Sequence, residues 1–68
     1  MSQNKMILKY LQTHRRGITG IDALQKFGCY RLSARISDLR ELGYDIRTDM
    51  ENNKLNNGRH ARYFLMEE

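Results

Sequence analysis

Apolar residues recur at helical spacing three times before the chain switches to a two-residue alternation. Ile7, Leu8 and Leu11 form one side of a first helix predicted from Gln3 to His14, with Lys5, Lys9 and Gln12 on the wet side. Gly17 ends that region, and Ile18 reads as a short buried link. Thr19 then offers an N-cap hydroxyl to a second, short helix over about Gly20 to Lys26, expected to bury Ala23, Leu24 and Phe27. Gly28 permits the reversal into a third helix, predicted over about 30–42. There Leu32, Ile36, Leu39 and Leu42 fall at intervals of four, three and three residues, the spacing of one buried stripe. Gly43 stands where the last helical turn needs a positive φ.

Beyond Gly43 the period becomes two. Tyr44, Ile46, Thr48 and Met50 alternate with Asp45, Arg47, Asp49 and Glu51, as in a half-buried strand. Asn52, Asn53, Asn56, Asn57 and Gly58 supply a turn. Ala61 to Met66 is a second strand, and its pattern leaves open whether Tyr63 and Leu65 or Phe64 and Met66 face the core. No proline interrupts either strand. Two small helices joined by a glycine-containing turn are a helix-turn-helix signature. The whole order, three helices followed by a two-stranded β-hairpin wing, predicts an α+β winged helix-turn-helix occupying residues 1–68 as one domain.

The run from Gly28 to Ile46 also resembles the core of small winged helix-turn-helix proteins of bacteriophages and prophages. Their pattern Arg-Ile-x-x-Leu-Arg-x-x-Gly-x-x-Ile is met by Arg35, Ile36, Leu39, Arg40, Gly43 and Ile46, and an aromatic strand near the end is comparable to Gly58 through Leu65. The resemblance implies a DNA-binding regulator, a phage or bacterial setting and a location in the bacterial cytoplasm. Its motif residues are mostly structural, so they speak more to fold than to task.

Composition narrows the function classes. The chain has 68 residues, 40% hydrophobic and 29% charged, which are globular values. Its net charge of +4 favours a polyanionic partner. No apolar run approaches the roughly 20 residues of a membrane span, so no membrane partner is expected. The single cysteine, Cys29, excludes an internal disulfide and fits a reducing compartment. His14, His60 and Cys29 lack ligand-like spacing, and neither a glycine-rich phosphate loop nor paired carboxylates occur. No enzyme activity, metal or cofactor is expected.

Outside its apolar stripe the third helix carries Tyr30, Arg31, Ser33, Ala34 and Ser37, small and basic groups that suit a DNA major groove. Arginine pairs bidentately with guanine, serine bonds either way, and alanine meets a thymine methyl. Phosphate contacts are expected from Thr19, Gly20 and Arg40, and backbone or minor-groove contacts from Lys54, Asn57, Arg59 and His60 of the wing. Set against this, Asp38 and Glu41 are expected on the same outer side, where they would repel phosphate, and Arg35 is expected to pack its stem on the core and pair with Asp38 or Asp22. Two classes follow. One is a module for double-stranded DNA, a transcriptional regulator or an excisionase-like architectural factor, acting as a homodimer or cooperative assembly. The other is a protein-interaction module that redirects or inhibits a host polymerase, replication protein or CRISPR-type defence complex, with Tyr10 and Tyr44 exposed for contact.

Overall fold

The computed structural model describes residues 3–52 and 58–66. In order they form α1 (Gln3–Thr13), β1 (Ile18–Thr19), α2 (Gly20–Phe27), α3 (Leu32–Glu41), β2 (Ile46–Asn52) and β3 (Arg59–Leu65). The three helices pack on one antiparallel sheet of order β1-β3-β2. The expected hairpin is there, and β1 adds a third strand that the sequence pattern showed only as a link. Ile18 pairs with Tyr63 and Thr19 with Arg62. Two residues are too few for a periodic signal, so only the approach of β3 makes them a strand.

Ile7 and Leu11 of α1, Ile18 of β1, Ala23 of α2, Cys29, Leu32, Ile36 and Leu39 of α3, and Ile46 of β2 form one buried cluster. Leu8, Tyr10, Phe27, Tyr63 and Leu65 pack around it. The open question about β3 is thereby answered: Tyr63 and Leu65 face the core. Three residues expected inside are outside. Leu24 is 42% exposed, Leu42 70% and Met50 49%. Thr48, on the same face of β2 as Ile46, is exposed as well. Tyr10, expected at the surface, is half-buried, stacked on His14 at 3.8 Å and edge-on to Phe27 at 5.8 Å.

The turns are built by local chemistry. Thr19 caps α2: its hydroxyl accepts from the Asp22 N–H at 3.2 Å while the Asp22 carboxylate accepts from the Thr19 N–H at 3.1 Å, a capping box. At the other end of α3, Gly43 has φ of +101°. Its N–H donates to the Arg40 carbonyl and that of Tyr44 donates to the Leu39 carbonyl, at 3.0 and 3.2 Å. This Schellman closure ends α3 at Glu41, with Leu42 as its C-cap. The chain then turns directly into β2.

Candidate nucleic-acid interface

Burial divides α3 into three sides. Leu32, Ile36 and Leu39 point into the core. Ala34, Arg35 and Asp38 are half-covered on the side toward α1, where Asn4 Nδ2 donates to Asp38 Oδ2 at 3.4 Å. Arg35 Nη2 lies 3.2 Å from the same oxygen. Ser33, Ser37, Arg40 and Glu41 make the open side. The expected position of Asp38 among the groove-facing residues is therefore corrected: its charge is balanced by Arg35 and turned toward α1. Glu41 stays exposed, and Ala34 is partly screened rather than fully presented.

Tyr30 and Arg31 precede α3 instead of forming its first turn. Arg31 is the N-cap residue, with φ −122° and ψ 64°, and gives no side-chain cap. Tyr30 is 87% exposed, and the buried Cys29 just before it anchors the turn. Both side chains thus flank the N-terminal end of the Ser33–Ser37 stripe, the end from which a groove-bound helix reaches deepest. Among the described residues, Arg31 has no acidic partner.

Two expected phosphate contacts have other employment. Thr19 is 6% exposed and its hydroxyl serves the capping box, so the exposed backbone of Gly20 is what this helix start offers to solvent. Arg40 bends toward β2: Nε and Nη2 donate to the Ile46 carbonyl at 3.0 and 2.7 Å, and Nη2 donates to Thr48 Oγ1 at 2.9 Å.

In the wing, Arg59 is exposed at the far end of β3, opposite Asn52. Lys54 and Asn57 lie outside the described residues. His60 is half-buried, with Nε2 2.9 Å from Glu51 Oε1. The same oxygen accepts from Arg62 Nε at 2.9 Å, and Arg62 Nη1 donates on to the Arg16 carbonyl at 3.2 Å. Glu51 and Arg62 were not among the expected site residues. The signal for them was the alternation itself, because residues two apart on paired strands share a face. Arg62, followed by His60, holds the Glu51 carboxyl below its usual value of 4.5, against an opposing effect of burial. A depressed carboxylate pKa contributes stability above the unfolded value and loses it as pH falls through the folded one. The urea midpoint of the parent should therefore drop more than that of Glu51→Gln when pH is lowered past 4.5. Parallel pH profiles would remove the ion-pair assignment.

Among the described residues, no group of three or more His, Cys, Asp or Glu side chains is placed to hold a metal ion. No described helix is long and apolar enough to cross a membrane. No curated protein and no solved structure gives a match to the chain. One protein family does, over residues 2–68, and its winged helix-turn-helix description agrees with the three helices and antiparallel hairpin described above. The chain belongs to the winged helix-turn-helix domain family.

Proposed function

We propose that the protein binds double-stranded DNA in a sequence-dependent manner, as a transcriptional regulator or an excisionase-like architectural factor. α3 enters the major groove with Ser33, Ser37 and the flanking Tyr30 and Arg31, and the wing lies along the backbone or minor groove through Arg59 and His60. The observation that carries this reading is the open side of α3, where Ser33 and Ser37 follow an arginine with no acidic partner among the described residues and Glu41 stands only at the far end. Small hydroxyls let the helix axis approach base edges, and the arginine supplies a bidentate donor. The turning of Asp38 toward Arg35 and Asn4 removes one charge that would oppose phosphate.

The test is anisotropy on random and native-locus duplexes between about 50 and 200 mM salt, where phosphate contacts produce a steep dependence. Arg31→Ala should cost about 1–3 kcal/mol on the preferred duplex and relax the sequence preference, whereas Arg59→Ala should weaken all duplexes and lower the salt slope by about 1. Unchanged affinity in both variants would sink the proposed face.

A second reading is favoured by one observation. Leu42 at 70% exposed and Tyr44 at 37% exposed stand together at the α3–β2 turn, and exposed apolar groups of this kind suit a protein partner. If no duplex binds at the lowest salt, Leu42→Asp and Tyr44→Ala are the variants to carry into a pull-down from host lysate.

A further inference from the structure

The register of the wing shows what Arg40 is bonded to. The Met66 N–H donates to the Asp45 carbonyl at 2.8 Å, which makes Asp45 and Met66 a hydrogen-bonded pair of the antiparallel ladder. Such pairs alternate, so the next residue, Ile46, opposite Leu65, directs its N–H and C=O away from β3. β2 is at the edge of the sheet, and among the described residues no further strand stands there to receive them. Ile46 is nevertheless buried, and a buried carbonyl needs a partner. Arg40 supplies it with two donors of one guanidinium, and its Nη2 reaches on to Thr48 two residues along the same edge. The planar fork therefore spans the corner where α3, closed by Gly43, turns into the wing.

We propose that Arg40 is a positioning residue, a brace that fixes the angle between α3 and the β2–β3 hairpin and so serves the DNA-binding face through the wing, not by touching phosphate. Its place on α3 suits this task. Ser33, Ser37 and Arg40 follow each other at helical spacing, so the exposed stripe that begins beside Arg31 ends at the arginine that grips the wing. A free hinge at this corner would let the wing swing independently of α3. The brace makes one rigid surface of the two, which reduces the ordering cost of binding both at once. The same guanidinium covers the proximal part of the β2 edge against pairing with another strand.

The proposal deepens the DNA-binding reading and rests on it in its last step, so the test has two arms. In the free protein, the Arg40 Nε–H should exchange at least about tenfold more slowly than the Arg31 Nε–H, as a protected hydrogen bond does, and Thr48→Val should speed it. Equal exchange at the two arginines overturns the brace. On DNA, lysine keeps the charge of arginine but not its fork, so Arg40→Lys and Arg40→Gln should weaken duplex binding alike, by about three- to tenfold. Thr48→Val, which leaves α3 untouched, should show a smaller loss in the same direction. In an Arg59→Ala background the loss from Arg40→Lys should shrink, because a brace acts through the wing. Arg40→Lys at parental affinity, or losses that add fully with Arg59→Ala, overturn the proposal while leaving DNA binding intact. A parent protein that binds no duplex at about 50 mM salt ends the DNA reading, and the brace's service to that face with it.

Discussion

Gly17→Ala should lower the stability of the fold by more than any surface substitution. Gly17 is buried between α1 and β1 with φ of +76°, and a Cβ built on it meets the Tyr63 carbonyl oxygen at 2.1 Å and Phe64 Cδ1 at 3.0 Å. A positive φ alone costs an alanine about 1–2 kcal/mol. The overlap is a separate effect and cannot be relieved by a side-chain rotation, because the atom in the way belongs to the backbone of β3. Tyr63 pairs with Ile18, so moving it breaks the β1–β3 contact and loosens Ile18 and the Thr19 cap together. The sum should exceed about 3 kcal/mol, against a total stability of about 3–10 kcal/mol for a chain of this length. In a thermal melt that is a loss of more than about 12 °C. Gly28→Ala is the matched comparison, with φ of +63° and nothing within 4 Å of the new Cβ. If the two variants melt together, the steric account of Gly17 is wrong.

Ile36→Ala is the second large effect. Ile36 has no exposed surface and sits in the middle of α3, facing the cluster that includes Ile7 and Ile18. Truncating a fully buried isoleucine costs about 2–5 kcal/mol, the lost transfer energy plus the cavity it leaves. The upper half of that range is expected here, since the cavity would open where α1, α3 and the sheet meet. Leu42 belongs to the same heptad-like spacing in the sequence and is 70% exposed in the structure. Leu42→Ala should therefore stay within about 0.5 kcal/mol of the parent, as surface substitutions do. Urea titrations of the two variants give the comparison directly, and equal losses would mean that α3 is rotated from the orientation described.

Those two residues mark where the sequence is sufficient and where it is not. The spacing of Leu32, Ile36 and Leu39 determined the helix and its buried face, since any other rotation would expose all three at once. The glycines at 28 and 43 and the threonine at 19 determined where elements start and stop, because capping and positive φ are properties of a residue and its immediate neighbours. The order of elements, and hence the winged helix-turn-helix, was legible on that basis. Leu42 was misplaced because periodicity assigns a residue to a helix face but does not carry whether another element covers that face at the helix end. β1 was missed because a strand of two residues exists only where another strand meets it.

The candidate interface divides in the same way. Sequence identified Arg31, Ser33, Ser37 and Arg59 as exposed polar groups, which follows from their positions outside the apolar pattern. It had no means of telling which charges are already spent. Asp38 is turned to Arg35 and Asn4, Glu51 is shared by His60 and Arg62, and Arg40 is given to the edge of β2. Each of those pairings except the Arg35–Asp38 neighbour contact depends on the approach of another element or on strand register, quantities that local sequence does not carry. Local chemistry determined the elements and their buried faces; tertiary packing decided which polar groups remain for a partner, because a hydrogen bond between elements is available only after the core has set their distance.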